Sequence, residues 1–387
     1  YSQCPPPGTP NIDRLATEGM LFTSWYAPHP VCTPSRAGLL TGRYPIRTGA
    51  FPGVFSPTSL GGLPSSEVTI AELLQKNGYA TNMDGKWHLG HLQQHLPVNH
   101  GFDSWTGIPW SHDFCPCPHN LTHTDDPQLC RPSEPGCPLY SNLEVFEQPA
   151  MLDTLTLRYA KSAIKFMEMA SSQNKPFFQY LAFQHSHHPQ FASEKFRGKS
   201  KRGAYGDTML EMDHAVGLIL DFIEHSDKNL KDNTLIFFTS DNGPSLIRYR
   251  YGGSAGNRRC GKGTTWEGGQ NVAGVVWGPG VGVAQNSVNN YVANSLDIFP
   301  TIARFANVEL PKDVVIDGID LTATLNDGGK TDNNQAMFYY GLQSTGQQIN
   351  AVRFGNYKLH FATSGWGGSS NDLCGNPTPT QHTTPLL

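Results

Sequence analysis

Three short apolar runs in this chain each end in a cluster of polar, chemistry-bearing residues, and that recurrence limits the fold more than any other feature. Ala80 to Met83 runs into Lys86 and His88, Pro176 to Phe183 into "QHSHHP", and "TLIFFT" into Ser240, Asp241, Asn242 and Gly243. Helical patterns lie between them. Thr69 opens one, with Glu72 completing a capping box and Gly78 ending it. Leu152 to Ala170 is a second, and Met209, Met212, Val216, Ile219 and Ile223 share one face of a third. "SLDIFPTIARFA" reads as a helix with an early proline. Strands alternating with helices define an α/β architecture, in which ligands sit at the carboxyl ends of strands. Toward the end, "AVRFGNYKLHF" is a hairpin turning on Gly355 and Asn356. The expected organisation is a catalytic α/β domain over 1–330 and the start of a smaller antiparallel subdomain over 331–387.

Each polar cluster has a plain structural reading. A histidine at a strand end is commonly just a satisfied side chain, and Asp-Asn-Gly is commonly just a turn. Three such clusters at matching strand ends, with Cys32 and Lys262 in similar loops, point to a built site. The net charge of −4 and the lack of a basic stripe argue against a nucleic-acid partner. No apolar run reaches the ~18–20 residues of a membrane span. "GNRRCGKG" mimics a phosphate-binding loop, but Gly263 stands where the Ser or Thr that holds Mg2+ is needed. Tyr1 in place of an initiator Met reads as a start inside a longer chain, so a missing leader says nothing about location.

The chain has 8 cysteines. Cys115, Cys117, Cys130 and Cys137 crowd into a polar, proline-rich loop with little apolar material to bury, which calls for two local disulfides. Zinc is the rival reading, but Cys-x-Cys followed by Cys-x6-Cys lacks ordinary finger spacing. The same loop carries Asn120-Leu121-Thr122, a glycosylation sequon, and the combination points to the secretory pathway.

Six motifs in order then resemble the sulfatase family, on its arylsulfatase branch: "CTPSRAGLLTGR", "GKWHLG", "SHDFCPCPHNLT", "HSHHPQF", "FTSDNGP" and "CGKGTTWEGG". The resemblance runs through nearly the whole chain. It implies an alkaline-phosphatase-like α/β fold, a large mixed central sheet flanked by helices plus a smaller C-terminal antiparallel sheet. It also implies that Cys32 is converted to formylglycine by the formylglycine-generating enzyme. The hydrated aldehyde is chemically apt: one hydroxyl attacks sulfur, and deprotonating the other expels sulfate and restores the aldehyde. With Pro34 and Ser35 ahead of a helical "RAGLLTG", residue 32 would face a helix N-terminus, which favours an anion.

The resemblance assigns further roles. Arg36 and Lys86 would hold the formylglycine hydroxyls, His88 would take a proton during sulfate elimination, and His187 would protonate the leaving group. Lys262 would bind a sulfate oxygen and Ser111 would line the pocket. Asp241 and Asn242, with residue 32, would hold one Ca2+. By the same resemblance Cys260 would pair with Cys374, leaving Cys4 unpaired; apart from it, the four loop cysteines are expected to pair among themselves, nested as Cys117–Cys137 and Cys115–Cys130. The expected substrate is a sulfated carbohydrate or glycolipid, or an aryl sulfate; the expected setting is lysosomal or extracellular, with room for a homo-oligomer. Some features depart from the family pattern. The strand bearing two adjacent Asp ligands should lie ahead of Thr9, both chain ends look cut short, and Asn271 and Ala273 replace an Arg and a Pro. Two other readings therefore stand beside the enzyme: a catalytically inactive sulfatase-fold protein used for binding or as extracellular matrix, and a two-zinc phosphatase or phosphodiesterase, which "CTPSR" disfavours.

Overall fold

The computed structural model describes residues 8–115, 136–326, 335–342, 348–363 and 380–386. Among them the helices are α1 Pro10–Glu18, α2 Cys32–Thr41, α3 Pro45–Thr48, α4 Ile70–Lys76, α5 Leu155–Ser172, α6 Gly203–His225, α7 Glu267–Gln270, α8 Ile298–Phe305 and α9 Thr322–Asn326. The strands are β1 Met20–Tyr26, β2 Ala80–Gly85, β3 Ser104–Gly107, β4 Leu139–Ser141, β5 Glu144–Glu147, β6 Phe177–Ala182, β7 Ile236–Thr239, β8 Asn271–Trp277, β9 Ser287–Asn294, β10 Ala336–Tyr339, β11 Ala351–Phe354, β12 Tyr357–Thr363 and β13 Thr380–Leu386. No helix among the described residues is long and apolar enough to cross a membrane. The chain divides into two compact units. One takes the residues up to 15 together with 55–65 and 71–234; the other takes 16–54, 66–70 and the residues from 235 onward.

The first unit holds a five-stranded mixed sheet in the order β5-β4-β3-β2-β6. Strand β2 pairs in parallel with both β3 and β6. All of its residues are buried, so it carries no alternating pattern, as expected of a strand covered on both faces. Helix α5 lies against this sheet because Leu155, Tyr159, Ala163, Phe166, Met167 and Ala170 form one buried stripe. Its neighbour α6 buries Met212, Val216 and Ile223 of the expected face.

An apolar cluster of Ile108, Leu139, Leu152, Leu155, Tyr159 and Phe191 closes the sheet's end and also contains Cys115 and Cys137. These two cysteines are bonded to each other, with Cα atoms 5.1 Å apart. The nested pairing expected from the sequence is therefore wrong for both. The tight approach of the turn ending at Cys115 to the residue leading into β4 selects the partner, and spacing along the chain does not reveal that approach. Closing this loop is worth about 3 kcal/mol on the chain-entropy scale. Cys4, Cys117, Cys130, Cys374 and Asn120 lie outside the described residues.

The second unit holds a four-stranded mixed sheet ordered β7-β8-β1-β9 and a four-stranded antiparallel sheet ordered β10-β11-β12-β13. In the mixed sheet, β1 is antiparallel to β8 and parallel to β9. The hairpin between β11 and β12 turns on Gly355 and Asn356, with Phe354 opposite Tyr357, and Gly355 has φ +56°. The antiparallel sheet is tied to β1 and α7 by a buried polar group. Tyr26 donates to Glu267 Oε2 at 2.5 Å, Lys358 Nζ reaches Glu267 Oε1 at 3.1 Å, and Arg353 donates to the Tyr26 hydroxyl. Burial pushes Lys358 down to about 8, against the pull of Glu267.

Candidate active site

In the second unit, the segment between β1 and α2 is pinned before the helix starts. Ala27 N–H donates to Gln270 O at 2.8 Å, and Gln270 Nε2 donates to Ala27 O at 3.0 Å. Gly263 N–H donates to Pro30 O at 2.9 Å and Lys262 N–H to Pro244 O at 2.8 Å. Three loops are thus laced together by their backbones. Helix α2 begins at Cys32 itself, four residues earlier than the sequence placed it. Pro34 sits in the first turn, where a missing N–H costs nothing because the first-turn donors have no intrahelical partner. Gly42, at φ +66°, ends the helix and donates to Gly38 O. Gly38 is required on its own account: a Cβ there would stand 2.8 Å from Pro28 Cβ.

The side chains converge on the helix start. Cys32 is buried, at 3% exposure. Lys262 Nζ lies 3.5 Å from its Sγ, and the thiol faces Asn242 Oδ1 at 3.6 Å. Arg36, also buried, holds Asp241 Oδ2 through Nε at 3.1 Å and Nη2 at 2.9 Å. Asn242 Nδ2 donates to Gly243 O at 2.9 Å, which fixes the amide with its oxygen toward Cys32. A carboxylate and an oriented amide oxygen are the donor types a hard cation takes, so Asp241 and Asn242 fit Ca2+ in kind. Asn271 is committed elsewhere, since its Nδ2 lies 3.4 Å from Tyr26 Oη and 3.3 Å from Glu267 Oε2. Cys260 is in a disulfide whose partner lies outside the described residues.

In the first unit, the site grows from the end of β2. Gly85 has φ +110°, and a Cβ there would run into Ala182 O. Beyond it the pairing continues: Lys86 N–H donates to Ala182 O at 2.8 Å, Trp87 N–H to Ile108 O at 3.1 Å and His88 N–H to Pro109 O at 3.0 Å. Lys86 is buried and donates to Ser111 Oγ at 3.0 Å. His88 has φ +62°, rare for a residue with a side chain. Its Nε2 lies 2.9 Å from Phe55 O, and because a carbonyl only accepts, Nε2 carries the hydrogen.

The three histidines of "HSHHP" divide. His185 is structural: Nε2 meets Glu211 Oε2 of α6 at 2.8 Å, and both side chains are fully buried. His187 Nδ1 donates to His188 O at 2.6 Å. Asp113 was not singled out in the sequence, although it stands two residues after Ser111. Burial pushes its carboxyl up, but Lys86, a Ser111 hydrogen bond, His112 and His188 outweigh this and hold it below the usual carboxylate range. Burial also takes His112 down to about 4. The structure thus gathers Cys32, Arg36, Asp241, Asn242 and Lys262 in one unit. Lys86, His88, Ser111 and His187 are held in the other.

Mixed sheets flanked by helices, with a thiol, two cations and an Asp-Asn pair at strand and helix ends, define a hydrolase of the alkaline-phosphatase-like fold. The sulfatase family description matches residues 1–308, and the chain belongs to that family and is a sulfuric ester hydrolase. It is 44% identical over 389 residues to arylsulfatase A of Bos taurus, an alignment covering 98% of this chain and 76% of the relative. It is 40% identical over 372 residues to N-acetylgalactosamine-6-sulfatase of Rattus norvegicus, covering 92% and 67%. The crystal structure of the PsFucS1 sulfatase from Pseudoalteromonas sp. superposes with a TM-score of 0.81 at 29% identity, covering 97% of this chain and 77% of the other.

Proposed function

We propose that the chain hydrolyses sulfate esters of sugars, and of synthetic aryl alcohols, through residue 32. The carrying observation is the setting of the Cys32 thiol inside Cys-Thr-Pro-Ser-Arg, at the start of a buried helix, with Lys262 and Asn242 against its sulfur. The family's groups would supply two things here: an oxygen nucleophile from formylglycine at residue 32, and positive charge for sulfate oxygens from one Ca2+ on Asp241 and Asn242.

The chain's own residues do the rest. Lys262 and Arg36 bring fixed positive charge to the reacting end of α2, and Lys86 with Ser111 presents a buried donor pair. His187 has Nδ1 committed to a carbonyl, so the proton it gives the leaving oxygen sits on Nε2. His88 has Nε2 committed to Phe55 O, so Nδ1 is its accepting nitrogen. Relatives named for aryl sulfates and for N-acetylgalactosamine 6-sulfate support a sulfated sugar as substrate. The same relatives, with the sequon and cysteine-rich loop, support a secretory route to the lysosome or the extracellular space. We assign 1–330 to catalysis and 331–387 to the supporting antiparallel sheet.

The test is intact-mass analysis of the Cys32 peptide from protein made in a secretory host, paired with a sulfate-release assay. Conversion to the aldehyde is expected, and Cys32→Ala should fold but release no sulfate. A fully unmodified thiol in an active preparation would sink the nucleophile assignment. A thiol without any turnover would leave the binding-protein reading standing.

A further inference from the structure

Asp113, His187 and His188 form a grouping in the first unit whose combined chemistry sulfate hydrolysis does not use. Each offers one ligand atom, and the three atoms lie within 4.8 Å of one another. The carboxylate presents one oxygen to each ring: Oδ1 stands 3.9 Å from His187 Nδ1, and Oδ2 stands 3.8 Å from His188 Nε2. The two rings are stacked, with centroids 4.4 Å apart and planes 25° apart, so they arrive together. Asp113 Oδ1 is buried without a hydrogen-bond partner among the described residues, an acceptor that a cation would satisfy. The side chains of Asp113 and His187 keep 24% and 16% of their exposure, which leaves an entry path. Lys86 works against a cation here, since its charge already acts on Asp113.

Two imidazole nitrogens and one carboxylate oxygen make a borderline donor set. It suits zinc, copper, nickel or cobalt and not Ca2+, which takes oxygen ligands. We propose that Asp113, His187 and His188 bind one divalent transition-metal ion of the zinc type, distinct from the Asp241 and Asn242 site, and that the bound ion inhibits hydrolysis. Inhibition follows from the chemistry of His187. An imidazole that gives its lone pair to a metal can no longer be the imidazolium that protonates a leaving group. Ligation through Nδ1 would also break the bond to His188 O, whereas ligation through Nε2 would keep it. The binding stands on geometry alone; only the inhibition rests on the acid role proposed for His187.

The experiment is a calorimetric Zn2+ titration of the full chain in excess Ca2+, with Co2+ absorption as a second readout. It is run beside His188→Phe and Asp113→Asn, with thermal unfolding confirming that each variant folds. One equivalent of Zn2+ should bind to the parent protein, at least ~10-fold more weakly to either variant. Turnover of an alkyl or sugar sulfate, whose leaving oxygen needs the proton, should fall along the same titration curve, return on chelation and resist Zn2+ in His188→Phe. Absence of saturable binding, or equal binding by His188→Phe, overturns the site. Zinc that binds at full strength without slowing turnover keeps the site and removes His187 from the acid role.

Discussion

At the scale of single residues, the hydrogen-bond partner of each histidine decides its part. His185 and His187 are two residues apart in a run that reads the same throughout, yet one is locked to Glu211 in the interior and the other faces Asp113. His187→Ala should slow alkyl or sugar sulfates by about 10²–10⁴-fold. Nitrophenyl sulfates, whose leaving oxygen hardly needs a proton, should lose less than about tenfold. Equal losses on both would make His187 a sulfate-binding residue only. The grouping of Cys32 and Lys262 was legible because the motifs that carry them are dense and ordered. Asp113 was not, because its charge pairing with Lys86 is made across 27 positions of chain that no local pattern marks.

At the scale of elements, the end of β2 shows how a strand delivers a side chain. Gly85 takes a left-handed backbone so that Lys86 can resume pairing with β6, and the carbonyl of Ala182 fills the space a Cβ would need. Gly85→Ala should therefore cost about 1–3 kcal/mol of strain. By displacing Lys86 it should also lower kcat by about 10²-fold. Thermal unfolding and steady-state kinetics on one preparation would check this, and unchanged kcat would show that Lys86 is placed by other contacts. The apolar runs and helical stripes were read correctly as elements because their period belongs to the local chain. The start of α2 was misplaced because a proline in a first turn looks the same in sequence as a proline ahead of a helix. The Cys115–Cys137 pairing was missed because tertiary approach chooses among cysteines.

At the scale of the whole molecule, buried titratable groups oppose one another. Burial takes His29 down to about 3 and His100 and His112 to about 4, from 6.5. Burial takes Asp84 and Asp297 up to about 7, from 3.8. The histidines stay neutral when folded but gain protons when unfolded, so their contribution is complete above 6.5 and is lost as pH falls toward 4. The aspartates keep their protons when folded, so theirs is complete below 3.8 and is lost as pH rises toward 7. Between 4 and 6.5 these five groups leave the unfolded chain one more proton than the folded one, a slope of about 1.4 kcal/mol per pH unit. The melting temperature should thus fall gently below a maximum near pH 6.5. Asp84→Asn should roughly double the slope. A steep loss already at pH 5.5 would contradict the balance.

The burial of Cys32 sets an order of events in time. A cysteine with 3% of its surface exposed, closed in by three laced loops, offers a separate enzyme no way to grip it. On the proposed function, conversion of residue 32 would therefore belong to the interval before those loops close, while the chain is still extended. Folding and modification then run as a race with one permitted winner. A molecule that folds first has the native architecture and an inert thiol, and prolonged exposure to the modifying enzyme should leave that thiol untouched until the protein is unfolded again.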